Sequence, residues 1–91
     1  MTKATAPLDK PGYHLVHIEK GVLGELSKIR EEVEELEDAA AQGVKVMELV
    51  ELSDLIGAVK AYLIKHHPSS TLADLEAMAE VTSRAFRNGR R

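Results

Sequence analysis

The sequence predicts an all-α fold, a three-helix protomer whose core is an antiparallel helical hairpin. Of its 91 residues 44% are hydrophobic but only three are aromatic, so the core must consist of aliphatic side chains and Met, as is typical of packed helices. Apolar residues recur at helical spacing in three stretches. A chain this short buries only about 60–65% of its unfolded surface. We therefore expect one domain that forms a bundle by homo-oligomerisation.

The composition excludes several kinds of site and partner. There is no cysteine, so disulfides, thiolate metal sites and a cysteine nucleophile are excluded. The net charge of −3 argues against an obligate nucleic-acid-binding protein. No apolar run reaches the roughly 18–20 residues that span a bilayer, and the polar start lacks a signal-peptide core. We expect a cytoplasmic protein without membrane or nucleic-acid partners.

The N-terminal residues differ from the rest of the chain. Pro7, Pro11 and Gly12 indicate a flexible lead-in over residues 1–12 that contributes nothing to the core. Tyr13–Ile18 is compatible with a short extended segment, although a lone strand has little to pair with. Residues 13–91 are expected to form the single helical domain.

The first helix is predicted from about Val22 to Gln42 and is expected to end at Gly43. Apolar residues spaced three and four apart form one stripe along it. The stripe comprises Leu26, Ile29, Val33, Leu36 and Ala40.

The second helix, from about Val46 to His66, is apolar nearly all round and needs cover on several sides. His67-Pro68 ends it, and Thr71-x-x-Asp74 is typical of a capping box that opens a third helix, from about Leu72 to Asn88. The inner stripe of the third helix is Leu75, Met78, Thr82, Ala85 and Phe86. Three helices do not easily enclose the second one, so we expect a homodimer or homotetramer.

Acidic residues follow a helical spacing on the first helix. Residues three and four apart share a face, so Glu25, Lys28, Glu32 and Glu35 form a polar stripe beside the apolar one. The neighbouring acids Glu31, Glu34 and Glu37 point elsewhere. Considered alone, this stripe is an ordinary solvated acidic surface.

The second helix contains acids in a more unusual setting. Glu48, Glu51 and Asp54 recur every three residues in a helix with hardly any other polar residue. Burying an unpaired carboxylate costs several kcal/mol, and two acids one turn apart repel each other. A basic partner, a raised pKa or a bound cation would relieve this repulsion.

A hairpin through Gly43 would bring Glu32 and Glu35 opposite Glu51 and Asp54. Four carboxylates from facing helices suit Mg²⁺ or Mn²⁺, which also take phosphate oxygens as ligands. The alternative is a structural salt-bridge network with Lys28 and the C-terminal arginines, which are Arg84, Arg87, Arg90 and Arg91.

The acidic pattern resembles that of a known enzyme family. Glu32-x-x-Glu35, fifteen intervening residues and Glu51-x-x-Asp54 are similar to the ExxE…ExxD signature of the MazG-like all-α nucleoside triphosphate pyrophosphohydrolases. The doubled acid Glu31-Glu32 and the run from Glu48 to Leu55 are also typical of that family. The resemblance covers roughly residues 21–90.

This resemblance implies a helical bundle that works as a dimer or larger oligomer. It implies Mg²⁺, or Mn²⁺, bound by the four acids, and cleavage of a nucleoside triphosphate to the monophosphate and pyrophosphate, an activity that would serve nucleotide-pool house-cleaning. Glu35 is our candidate to orient the attacking water. Basic or amide side chains contact the phosphates in such enzymes, and the candidates here are Lys28, Arg84, Arg87 and Asn88.

Two other functions stay open at this point. One is a non-catalytic helical dimer that binds a protein partner, and the other is an enzyme like phosphoribosyl-ATP pyrophosphohydrolase, which has the same carboxylate pattern. The four histidines form the pairs His14/His17 and His66/His67, neither of which has convincing ligand spacing. We expect them to be surface residues.

Overall fold

The computed structural model describes residues 13–89, which form three α-helices and no strand. Helix α1 spans Leu26–Gln42, α2 spans Lys45–His66 and α3 spans Leu72–Arg87. The all-α fold class is therefore confirmed. The predicted lead-in, residues 1–12, lies outside the described residues, as do Arg90 and Arg91.

Helices α1 and α2 form the predicted antiparallel hairpin, joined by two residues. Gly43 adopts the left-handed conformation, with φ 75°, and its N–H donates to the Ala40 carbonyl, which is the favoured way to end a helix. At the other end of the hairpin, Glu25 contacts Lys65 and His66 near the end of α2.

Helix α1 begins four residues later than predicted. Val22 and Leu23 extend the apolar stripe, but the chain turns at Gly24, which is buried and has φ 94°. The Val22 N–H donates to Ser27 Oγ over 3.0 Å, so this amide caps the turn rather than continuing a helix. At Gly21 a Cβ would lie 2.2 Å from the Ser27 carbonyl oxygen, so this path needs glycine.

Helix α3 begins with the predicted capping box. The Asp74 N–H donates to Thr71 Oγ1 over 3.2 Å, and the Thr71 N–H donates to Asp74 Oδ2 over 2.8 Å. No α3 residue is fully buried. A cavity of about 300 Å³ separates the start of α3 from the second half of α2, and its lining residues are Lys60, Leu63, Ile64, Pro68, Ser70, Thr71 and Leu72.

The apolar core of the described chain is small. Ala39, Ala58 and Leu63 are the buried hydrophobic residues, whereas Leu49 on α2 is 66% exposed. Other large apolar side chains of α2 are also exposed, and they are Val46, Val50, Leu52, Ile56 and Ile64. Residues 13–89 of one chain thus leave α2 without the cover that its composition requires. Among residues 13–89, no helix is long and apolar enough to cross a membrane.

Residues 13–25 are called the N-terminal segment. The segment has no regular secondary structure, and this includes Tyr13–Ile18. The segment runs along α1 in the opposite direction. Its beginning is bonded to Asp38 and Gln42 near the end of α1, and the Gly21 N–H donates to Glu31 Oε1 near the start of α1. The helical hairpin is therefore accompanied by an irregular segment that packs along α1.

Candidate metal centre

Four carboxylates from α1 and α2 meet at one place in the hairpin. Glu32 and Glu35 lie one turn apart on α1, as do Glu51 and Asp54 on α2, so each pair presents both side chains on one face. One oxygen from each of the four lies within 4.8 Å of the others. The structure thus brings together the four residues that the sequence predicts as metal ligands.

Glu51 is the most deeply buried member of this cluster. Its side chain is 0% exposed, and its Oε1 atom has no hydrogen-bond partner among residues 13–89. Glu32 is 5% exposed, and its Oε1 atom has no partner in that part of the chain either. A buried carboxylate without a partner is costly unless a cation or a proton neutralises it. The cluster therefore needs additional positive charge.

Protonation would supply part of this charge in the protein without metal. Burial, together with the negative charges of Glu32 and Glu51, raises the pKa of Glu35 to about 8. Burial and the charge of Glu51 also raise the pKa of Asp54. Carboxylates that are close together cannot all ionise at once. A divalent cation removes this restriction because it stabilises every ionised carboxylate that it contacts.

Lys28 is the basic residue that the structure places at the cluster. Its Nζ lies 3.0 Å from Glu31 Oε1 and 3.4 Å from Glu32 Oε2. Burial opposes its charge, but the two glutamates raise the pKa of the ammonium group above its ordinary value. The part of the predicted salt-bridge network that involves Lys28 is therefore present, with Glu31 and Glu32 as its partners. One ammonium group does not neutralise Glu31 together with the four clustered acids.

Two residues of the N-terminal segment belong to the site and were missed from the sequence. The Tyr13 hydroxyl donates to Glu51 Oε2 over 2.7 Å, and His14 Nε2 lies 3.2 Å from the same oxygen. The expectation that His14 is a surface residue is wrong, since its side chain is 4% exposed. His17, by contrast, is 82% exposed, as expected.

The N-terminal segment is held in place by Asp38 and Gln42 near the end of α1. Asp38 Oδ2 lies 2.8 Å from His14 Nδ1 and accepts the Leu15 N–H over 3.1 Å. The hydrogen bond to His14 is the main reason that the pKa of Asp38 is lowered. The Gln42 amide donates to the Tyr13 carbonyl over 2.7 Å. These contacts aim Tyr13 and His14 at Glu51.

The structure does not bring the C-terminal candidates to the cluster within one chain. Arg84, Arg87 and Asn88 are exposed on or just after α3. Between residues 13 and 89, no ion pair joins either arginine to an acid of the cluster. Their contact with phosphate stays a prediction, and so does the part of the salt-bridge network assigned to the arginines.

The donor set fits a hard divalent cation. Carboxylate oxygens are the ligands that Mg²⁺ and Mn²⁺ prefer. Asp54 is exposed, whereas Glu32 and Glu51 are buried, so the cluster opens to solvent on the side of Asp54. An ion held there could also contact a ligand arriving from solvent.

Comparison with protein-family models, with curated proteins and with solved structures gave no match to this chain. The resemblance to the MazG-like enzymes therefore stays a prediction from the residues of the two acidic pairs.

Proposed function

We propose that this protein is a Mg²⁺-dependent nucleoside triphosphate pyrophosphohydrolase, which converts a nucleoside triphosphate and water to the monophosphate and pyrophosphate. The observation that supports the proposal most directly is the fully buried Glu51, whose unpartnered oxygen belongs to a cluster with Glu32, Glu35 and Asp54. Burying such a carboxylate is unfavourable for stability alone. A role in metal binding would explain why a buried carboxylate is present at this position.

The four clustered acids would hold the cation. Bound Mg²⁺ would neutralise phosphate oxygens and lower the pKa of a water molecule. The open side at Asp54 is where a triphosphate could approach. Mn²⁺ has the same preference for oxygen ligands and is expected to replace Mg²⁺.

Glu35 is the residue that we assign to orienting the attacking water. It is only partly buried, so one of its oxygens could remain open to a water molecule beside the cation. A carboxylate that the metal does not fully use can orient such a water molecule. Lys28 Nζ lies 3.4 Å from Glu32 Oε2 at the edge of the cluster, and we assign it to contact with a phosphate oxygen.

Homo-oligomerisation is part of the proposal. The exposed apolar residues of α2, among them Val46, Leu49 and Ile56, need cover that the described part of one chain, residues 13–89, does not provide. A second copy would bury them, and it could also supply Arg84, Arg87 or Asn88 to a site on its neighbour. An exposed apolar surface is expected both for the active enzyme and for a non-catalytic dimer, so it does not distinguish the two functions. The metal cluster is the feature that favours the enzyme.

A substrate screen tests the proposal. A panel of common and damaged ribo- and deoxyribonucleoside triphosphates, with phosphoribosyl-ATP, would be assayed for pyrophosphate release with Mg²⁺ or Mn²⁺. We expect turnover of at least one triphosphate, and its loss in Glu51→Gln. Glu48→Gln is the matched control on the same helix, because Glu48 pairs with exposed Lys45 instead.

Three outcomes contradict the proposal. Release of pyrophosphate from phosphoribosyl-ATP alone would assign the protein to the related reaction. No turnover with any substrate, together with no gain of thermal stability from Mg²⁺ and nucleotide, would favour the interaction module. Full activity in Glu51→Gln would show that the metal assignment is wrong.

A further inference from the structure

We infer that His14 is the nitrogen ligand of a second cation position, which it forms with Glu35 and Glu51 beside the four-carboxylate position. The inference rests on the proposed metal centre, because the two positions would share Glu35 and Glu51. It adds to the proposed metal centre a nitrogen ligand and a second ion, neither of which the spacing of the acids predicts.

The side chains of this second position are already close together. One nitrogen of His14 and one oxygen each of Glu35 and Glu51 lie within 4.8 Å of one another. The His14 and Glu51 side chains are 4% and 0% exposed. Ligand atoms at such distances can contact one ion with only small adjustments of their side chains.

The orientation of the imidazole supports ligation through Nε2. Asp38 Oδ2 lies 2.8 Å from Nδ1, and a carboxylate at this distance can only accept a hydrogen bond, so in the neutral imidazole the proton is on Nδ1 and the lone pair is on Nε2. Nε2 is buried and lies 3.2 Å from Glu51 Oε2, and among residues 13–89 it has no hydrogen-bond partner. A histidine that donates one ring N–H to a carboxylate and presents the other nitrogen is the common arrangement at protein metal sites.

A protonated His14 that merely forms ion pairs with Asp38 and Glu51 is the competing explanation. In that case Nε2 would carry a hydrogen and should donate it to Glu51. The two atoms are 3.2 Å apart, but Nε2 is not in hydrogen-bonding geometry with Glu51. A cation shared by the two side chains accounts for two polar atoms that approach to 3.2 Å without a hydrogen bond.

The ligand set determines which ion fits. Mg²⁺ prefers oxygen ligands only, whereas first-row transition ions accept imidazole as well as carboxylate. We expect the second position to take Mn²⁺ or a similar divalent transition ion, and the four-carboxylate position to take Mg²⁺ or Mn²⁺. Two ions that share carboxylates lie about 3.5–4 Å apart in known dinuclear sites.

Mn²⁺ without nucleotide is the probe. Electron paramagnetic resonance would count bound ions during a titration, and pulsed measurements would detect nitrogen coupled to Mn²⁺. We expect two Mn²⁺ per chain, a spin-coupled pair and a ¹⁴N signal. His14→Ala should bind one Mn²⁺ and lose both the coupling and the ¹⁴N signal, while keeping its helical circular dichroism.

Two further variants separate ligation from a structural role. His17→Ala is the matched control, since His17 is exposed and pairs only with Glu19 among residues 13–89, and it should behave as wild type. Asp38→Asn should lower the affinity for the second Mn²⁺ by about 10–100-fold, although His14 itself is unchanged. His14→Gln, which keeps a polar group at this position, should still lose the ¹⁴N signal.

The inference is overturned if wild-type protein binds a single Mn²⁺ with no ¹⁴N coupling, or if His14→Ala keeps both ions. These readouts need no turnover. A protein that binds the Mn²⁺ pair but hydrolyses no triphosphate would contradict the proposed function and leave the role of His14 intact.

Discussion

The Tyr13 hydroxyl donates a hydrogen bond of 2.7 Å to Glu51 Oε2, which lies 38 positions further along the chain. Glu51 is fully buried in α2, whereas Tyr13 is 39% exposed in an irregular segment. The contact raises the pKa of the Tyr13 hydroxyl because the neighbouring carboxylate opposes its ionisation. Tyr13 therefore connects a buried acid to the surface of the protein.

Tyr13→Phe should destabilise the metal-free protein. The substitution keeps the ring but removes a donor from a buried carboxylate, so we expect the free energy of unfolding to fall by about 1–2 kcal/mol. Urea unfolding in the presence of a chelator measures this change. Tyr62→Phe is the control, because Tyr62 stacks on His66 at the far end of α2. An equal decrease in the free energy of unfolding in both variants would mean that the hydrogen bond from Tyr13 to Glu51 does not stabilise the protein.

Glu51→Gln should stabilise the protein without metal and abolish its response to metal. The amide removes a buried charge that Glu35 and Asp54 repel, so the free energy of unfolding should rise by about 1–3 kcal/mol. Wild-type protein should gain thermal stability from Mg²⁺ or Mn²⁺, and the variant should not. Glu48→Gln should keep the metal response. Destabilisation of Glu51→Gln in the chelated state would indicate that the hydrogen bond from Tyr13 to the carboxylate outweighs the repulsion from the neighbouring acids.

The stability of the metal-free protein should depend on pH through Glu35. Its pKa is about 8 when folded and near 4.5 in the unfolded chain, so the folded state holds the proton more tightly. The stabilisation is complete below about pH 4.5 and is lost as the pH rises toward 8. We expect a loss on the order of 2 kcal/mol across this window, with Asp54 acting in the same direction because its pKa is also raised.

Urea unfolding with a chelator between pH 5 and pH 8 measures the effect of Glu35. The lowered pKa values of Glu31 and Asp38 affect stability only at lower pH, where those acids take up protons. Glu35→Gln should flatten the profile, and Mg²⁺ should stabilise wild type more at pH 8 than at pH 5. A wild-type profile as flat as that of Glu35→Gln would contradict the assignment.

The exposed face of α2 should be covered by another copy of the chain. We expect sedimentation of the wild-type protein as a dimer or tetramer, and a shift toward single chains in Leu49→Lys, because a buried lysine without a partner destabilises an interface. Leu15→Lys is the control, since Leu15 is also exposed, at 77%, but lies in the N-terminal segment. A wild-type protein that sediments as a single chain would contradict the prediction.

The helical framework was predictable because its signals are local. Gly43 supplies the left-handed residue that ends α1, and Thr71 and Asp74 form the capping box that begins α3. The start of α1 was not predictable. Val22 and Leu23 continue the apolar stripe, so the pattern gives no sign that the helix begins later. The turn at Gly24 lies against residues further along the chain. Periodicity does not record such contacts.

The acidic cluster was predictable for a related reason. A spacing of three residues on each helix, and one short turn between the helices, decide which carboxylates face each other. Tyr13 and His14 were missed because they lie in a segment without periodicity, 38 and 24 positions from Glu51 and Asp38. The role of Asp38 was missed as well, since an acid that binds a distant backbone amide looks like a solvated residue of the helix.

The N-terminal segment also implies an order of folding. Contacts between α1 and α2 form across a two-residue turn, whereas the contact between Tyr13 and Glu51 closes a loop of 38 positions. Shorter loops close with less loss of chain entropy, so the hairpin should form first. The carboxylates then assemble before Tyr13 and His14 cover Glu51, and a metal ion present during refolding meets an open cluster.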